Sequence, residues 1–203
     1  MRNVAIVIFD EVEVLDFAGP YEIFTAAGGR DGRPLEFNVY TVAEKSPIAA
    51  KRNLVVVPNY SLDSCPEPDI LLIPGGGSYG PDGTAYGSRR EMNNPKLLDW
   101  INSHAPQAEL VLSVCTGALI LARAGLLENL EATTHFRSVD DLRRLAPKTK
   151  ISPEKRWVDN GKIILSAGVS AGIDMSLYAV GKILGKEIAD ETAFHIQYDH
   201  WKT

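Results

Sequence analysis

Unbroken apolar runs alternate along the chain with stretches whose apolar residues recur at helical spacing. NVAIVIF (3–9) is rich in β-branched residues, the pattern of a strand buried on both faces. AGPYEIFTAAGG (18–29) reads as a helix, with Pro20 suited to its first turn and Gly28-Gly29 to its end. EFNVYTVA (36–43) predicts a second strand, and NLVVVPNY (53–60) a third extended piece that Pro58 places at an edge. DILLIPGGG (69–77) predicts a buried strand ending in glycines, and NPKLLDWINSHA (94–105) a helix. AELVLSV (108–114) predicts a strand, and TGALILARAGLL (116–127) a helix with Gly125 near its end. VDDLRRLA (139–146) predicts a short helix, and KRWVDNGKIILSAG (155–168) a hairpin turning at Asn160-Gly161. SAGIDMSLYAVGKIL (170–184) reads as a helix opened by Ser170, and KEIADETAFHIQYDHW (186–201) as the last helix.

Strands alternating with helices predict an α/β fold: a mostly parallel sheet covered on both faces, with ligands bound beyond the carboxyl ends of the strands. The 203 residues suit a single domain spanning 1–203. Net charge is −5, which disfavours a dedicated nucleic-acid binder. No apolar run approaches the ~20 residues of a membrane span, and the N-terminus lacks a secretory pattern. Two cysteines make no disulfide framework, so reduced thiols in a cytoplasmic protein are expected.

Three strand ends carry chemistry. Asp16 follows the first strand, just before the expected helix. The turn PGGGSYG follows the 69–73 strand, and Cys115 follows the 109–114 strand. A thiol, a carboxylate and a glycine-rich backbone turn are what a covalent mechanism needs: nucleophile, proton carrier and amide donors. Strand, one residue, then helix is the layout of a nucleophile elbow, although Ser113 stands where G-x-S-x-G has glycine. The helix N-terminus near the sulfur favours the thiolate. A buried inert thiol is the competing reading of Cys115, and a turn or capping role that of Asp16. The amides of Gly75 and Gly76 are candidate donors facing the thiol. The long stretch 75–93 suits either a binding loop or a surface excursion. The glycine-rich turn lacks the lysine of a phosphate loop. His135 could approach the thiol or lie at a surface, whereas His195 and His200 read as structural. No histidine pair has metal spacing and Cys65 reads as a loop thiol, so neither a metal nor a cofactor is expected.

VAIVIFDEVEVLDFAGPYEIF, DILLIPGGG, LSVCTGALILARAGLLENLEATTHF and VDNGKIILSAGVSAGIDMSLYAVGKILG together resemble the ThiJ/PfpI superfamily, over about residues 3 to 201. The resemblance implies a class I glutamine amidotransferase-like, flavodoxin-like three-layer α/β/α sandwich. Its nearest branch is the isonitrile hydratase (isocyanide hydratase) group. The same domain forms part of some AraC-type regulators. By position it implies that Cys115 is the reactive cysteine and Asp16 the acid beside it. Gly75 and Gly76 would be backbone donors, with the Thr116 amide a further one. The Thr116 hydroxyl would touch substrate or water, and His135 would lie near the thiol. A homodimer is implied, with a small-molecule substrate and neither nucleic acid nor membrane as partner. SAGVSAGID lacks the late His-x-Glu pair of the amidotransferases, so glutaminase activity is not expected.

These residues lead to an expected cysteine-dependent hydratase, a lyase converting an isonitrile to an N-substituted formamide through a covalent thioimidate. An ionised Asp16 would raise the thiol pKa, so Asp16 is expected to share a proton and be neutral when Cys115 is a thiolate. Two other classes remain open. One is a non-catalytic small-molecule-binding or redox-sensing protein with an easily oxidised Cys115. The other is a different ThiJ/PfpI activity, hydrolytic or glyoxalase-like.

Overall fold

The apolar runs are buried in a central sheet. The computed structural model describes residues 1–29 and 34–199. The first half of the chain forms β1 (Arg2–Val7), α1 (Val14–Ala26), β2 (Phe37–Ala43), β3 (Ile48–Ala50), β4 (Leu54–Val56), β5 (Tyr60–Ser61), β6 (Ile70–Ile73), α2 (Ser88–Glu91) and α3 (Pro95–His104). The second forms β7 (Leu110–Ser113), α4 (Gly117–Arg123), β8 (Glu131–Ala132), α5 (Val139–Leu145), β9 (Lys150–Ile151), β10 (Trp157–Asp159), β11 (Ile163–Ser166), α6 (Ala171–Leu184) and α7 (Lys186–His195). The main sheet has the order β10-β11-β7-β6-β1-β2-β5 and is parallel except for the β10–β11 hairpin. Every residue of β6 and β7 is buried, as continuous apolar runs require in a sheet covered on both faces. Helices α1, α6 and α7 pack together on one face, and α2, α4 and α5 on the other, so the three-layer arrangement is the expected one. Strands β1, β6 and β7 are neighbours, which brings the segments after their carboxyl ends together. No described helix is long and apolar enough to cross a membrane.

Several elements differ from the sequence expectation. Helix α1 begins at Val14, not at Gly19-Pro20, and carries Pro20 inside it. Asp16 therefore lies in the first helical turn rather than before the helix. Burial explains the longer helix, because Phe17, Ile23 and Phe24 all enter the core. Pro20 lacks only the N–H that would reach the Asp16 carbonyl, and its φ suits a helix. Gly19 lets α1 lie close to α6, since a Cβ there would stand 3.0 Å from the Ile173 side chain, which would have to give way. The 53–60 strand is divided. Residues 48–56 form the β3–β4 hairpin, whose turn holds Arg52 and Asn53 at positive φ, and β5 alone reaches the main sheet. The 75–93 stretch folds back on itself: Tyr86 N–H donates to the Ser78 carbonyl, and Ser88 N–H, at the start of α2, to that of Gly76. Ser170 precedes α6 without a side-chain cap; its hydroxyl instead accepts from Arg156 at 3.3 Å. The last helix ends at His195, and His200 and Trp201 lie outside the described residues.

Helix α4 meets β6 at Gly117, where a Cβ would stand 2.0 Å from the Ile73 carbonyl oxygen. Backbone cannot yield as a side chain can. Gly117→Ala is expected to destabilise the fold by about 3 kcal/mol. Gly125→Ala, at a φ of +78 but with nothing within 4 Å of its Cβ, is expected to cost about 1–2 kcal/mol. Urea unfolding of the two variants measures the difference.

Candidate active site

Between the end of β7 and the start of α4, Cys115 takes a φ of 57, the left-handed region that a side chain disfavours. Both of its peptide groups are held. Its N–H donates to the Ala167 carbonyl at 3.0 Å, and its carbonyl accepts from Thr134 Oγ1 at 2.8 Å. On either side, Val114 N–H donates to Ile73 and Gly117 N–H to Val114, at 3.1 and 2.9 Å. The expected elbow is therefore present as a sharp strained turn, with the sulfur beyond the sheet end.

Asp16 comes to the same place from α1 and is completely buried. Its Oδ2 accepts the Gly75 N–H at 3.0 Å, whereas its Oδ1 has no hydrogen-bond partner among the described residues. Gly75 is the wedge between acid and thiol turn. A Cβ there would lie 2.5 Å from both Thr116 N and Thr116 Oγ1, and 3.0 Å from Asp16 Oδ2. Only glycine lets the backbone pass that close.

Burial governs the charges. It pushes the Asp16 carboxyl up to about 7, helped by the charge of Glu13 and opposed by the Gly75 amide and the Cys115 thiol. It likewise pushes the Cys115 thiol, 6% exposed, up to about 12, with the Asp16 charge adding to the rise. The amides of Val169 and Thr116 and the Thr116 hydroxyl pull the thiol down but do not prevail. Desolvation first and the Asp16 charge second thus work against the elbow amides at the thiol, a direction opposite to the one a helix start alone gives.

Gly75 and Gly76 converge on the site, but in a different role from the donors to a developing anion that were expected. Gly75 N–H is already donated to Asp16, and Gly76 N–H to Thr116 Oγ1 at 3.0 Å. They hold the two side chains that flank the thiol. His135 lies beside the site. Its ring packs on Gly168, and its Nδ1 accepts the Arg137 N–H at 3.3 Å. Burial and then the charges of Arg137 and Arg89 lower its pKa, which favours the neutral ring. No hydrogen bond joins it to Cys115 or Asp16 among the described residues. His104 is tied to the Trp100 carbonyl at the far end of α3, and Cys65 is a free loop thiol. Among the described residues, no three His, Cys, Asp or Glu side chains group as a metal site.

Sequence reasoning missed Ala167, Val169, Thr134 and Ser88. Val169 has a φ of 42, and its amide acts on the thiol. Ser88 is buried against the Thr116 hydroxyl. Apart from a small-residue stretch around 167–172, no motif marks them. A groove of 830 Å³ lies nearby, lined by Phe9, Asp10, Lys45, Ile48, Arg90 and Asn94 among others, but neither Cys115 nor Asp16 lines it.

The chain can be set beside known proteins on this geometry. It is 31% identical to the isonitrile hydratase of Pseudomonas putida, over 97% of this chain and 78% of that protein. It is 23% identical to the HTH-type transcriptional regulator GbdR of Pseudomonas aeruginosa, over 93% of this chain and 48% of the regulator. Among solved structures, a ThiJ/PfpI family protein from Pseudomonas syringae superposes with a TM-score of 0.83 at 28% identity, covering 98% of this chain and 75% of that one. The sequence pattern of the DJ-1/PfpI family matches residues 2–182. With this match and a sheet, helices and strand-end layout of the same flavodoxin-like kind, the chain belongs to the DJ-1/PfpI family.

Proposed function

We propose that the protein is a cysteine-dependent hydratase that converts a small isonitrile, R–N≡C, to the N-substituted formamide. One observation carries this reading: the Cys115 thiol and the Asp16 carboxyl are buried together, both with raised pKa values, so that a single proton serves both. The similarity to an isonitrile hydratase supports it.

The reactive form is thiol plus carboxylate. Asp16 takes the thiol proton as the sulfur attacks the terminal carbon. The same proton then passes to that carbon, giving the thioimidate R–N=CH–S–Cys115. The Thr116 and Val169 amides and the Thr116 hydroxyl hold the sulfur while it carries charge. Water adds next: its oxygen joins the carbon, one proton reaches the nitrogen, and Asp16 carries the transfer. The tetrahedral adduct R–NH–CH(OH)–S–Cys115 loses its hydroxyl proton to Asp16 and expels the thiolate. Formamide leaves, and Asp16 returns the proton to the sulfur. Thiol, carboxylate and charge are all restored.

Two observations bear on the rivals. The raised thiol pKa and the burial of Cys115 weigh against easy peroxide oxidation, which needs an exposed thiolate. The likeness to a transcriptional regulator supports a ligand-binding role, whose signature is isonitrile or carbonyl binding without product. A homodimer fits the reading too. Leu54, Val55 and Val57, in and just after β4, are exposed apolar positions that a second copy could cover.

A panel of small isonitriles, assayed for formamide by NMR, tests the function. Cys115→Ser is expected to lower kcat/KM by about 10³-fold or more, and full turnover by this variant would sink the covalent route. The pH profile tests the shared proton. The carboxylate is the base, so kcat/KM is expected to rise as pH increases through about 7 and level off above it. In Asp16→Asn that limb should vanish, with activity down about 10²–10⁴-fold. An unchanged limb in the variant would remove Asp16 from this role.

A further inference from the structure

Cys115 is pegged at both of its peptide groups, and the two pegs differ in kind. Its N–H donates to the Ala167 carbonyl at 3.0 Å, a bond between two backbones. Its carbonyl is held by a side chain: Thr134 Oγ1 donates to it at 2.8 Å in a buried contact. No backbone amide reaches that carbonyl among the described residues, because the first amides of the turn go elsewhere. Gly117 N–H bonds the Val114 carbonyl at 2.9 Å, and Leu119 N–H the Thr116 carbonyl at 3.1 Å. Thr134 is 1% exposed, and among the described residues its hydroxyl has no partner besides Cys115. A carbonyl only accepts, so the one proton of the hydroxyl is committed to this bond.

The hydroxyl is anchored from its own side. Ser152 N–H donates to the Ala132 carbonyl at 2.9 Å, and Thr133 Oγ1 to the Lys155 carbonyl at 3.2 Å. Ser138 N–H donates to the His135 carbonyl at 2.8 Å. These bonds fix the chain before and after Thr134 without involving Cys115.

Between the two pegs lie the two soft torsions of Cys115. With amide and carbonyl both fixed, φ stays at 57 and the direction of the side chain from Cα is set. With the carbonyl released, only the amide is tied, and φ is free to fall back to the negative values that a side chain prefers. The strain of a left-handed residue and the loss of a hydrogen bond to a buried carbonyl are of the same order. One hydroxyl is therefore enough to tip the balance between elbow and relaxed turn.

We propose that Thr134 is a positioning residue: its hydroxyl locks the Cys115 carbonyl and so keeps the reactive thiol in the left-handed elbow. This role requires Cys115 to be the reacting group, as read above, but not that the substrate be an isonitrile.

Valine has nearly the shape of threonine and no donor, so Thr134→Val removes the lock and little else. Its crystal structure is expected to show Cys115 at negative φ, or divided between negative and positive φ, whereas Thr134→Ser should keep the residue near 57. On an isonitrile that the wild type turns over, kcat should fall about 10²-fold in Thr134→Val with KM little changed, and Thr134→Ser should restore most of it. Thr134→Ala, which also lacks the hydroxyl, gives the same reading should the valine variant fail to fold. A positive φ kept in full without the hydroxyl overturns the proposal. So does a relaxed φ with wild-type kcat, because the elbow would then not serve the thiol. A lower urea midpoint with φ and kcat both unchanged has the same force, since Thr134 would then support only the fold. Where the wild type makes no formamide, φ in the variants still decides whether the lock exists, so the hydratase reading and this one fail separately.

Discussion

Cys115 sits in a backbone conformation that costs a residue with a side chain about 1–3 kcal/mol, and much of the surrounding structure holds it there. The Ala167 carbonyl and the Thr134 hydroxyl fix its two peptide groups. Gly117 lets α4 start against the Ile73 carbonyl, and Gly172 lets α6 approach Val114, where a Cβ would stand 2.8 Å from the Val114 side chain. These contacts come from β6, α4, the segment before the 136–138 turn, and the segment between β11 and α6. Strands β6 and β7, buried along their whole length, can support them, because a close-packed interior yields little. The strain has a geometrical return: it turns the sulfur off the strand and towards the acid on α1.

Bringing the thiol and the acid into one dry site has an electrical consequence. Two buried acids cannot both ionise at close range, so removal of one proton makes removal of the second harder. The direction of each shift follows from that mutual repulsion plus desolvation. The amides of Val169 and Thr116 and the Thr116 hydroxyl oppose the rise at the thiol. Gly75 opposes it at the acid, and its own position depends on having no side chain. The site is therefore tuned by burial first, and then by the mutual charge of the pair set against a few backbone amides.

Much of this was legible in the chain itself. Strands β1, β6 and β7 announce themselves as apolar runs, and Asp16, Gly75 and Cys115 follow their ends, which the sheet order makes neighbours. The start of α1 was not legible, because Gly19-Pro20 carries a strong local signal that burial of Phe17 overrides. The direction of the thiol shift was hidden for a similar reason. A helix start near a cysteine is visible in a sequence, whereas the desolvation that outweighs it depends on the finished packing. Ser88 and Val169 carry no motif. They reach the site through the folded-back 75–93 stretch and the 167–170 turn, and local pattern encodes neither path.

The way protons are held also bears on which chemistry suits the site. A hydrolysis that expels an amine or alcohol must also protonate that leaving group, a task that in thiol and serine hydrolases falls to an imidazole beside the nucleophile. Here the imidazole of His135 is turned to Arg137, and the amides of Gly75 and Gly76 are already engaged. What remains is one thiol, one carboxylate and one proton between them. An addition of water in which the catalyst's only leaving group is its own thiol needs nothing more. In the proposed cycle the proton that the sulfur gives up would be the one the substrate carbon takes, and the departing thiolate would recover a proton from the same carboxyl. A buried pair that resists full ionisation suits such a cycle, because it keeps its proton within reach at every step.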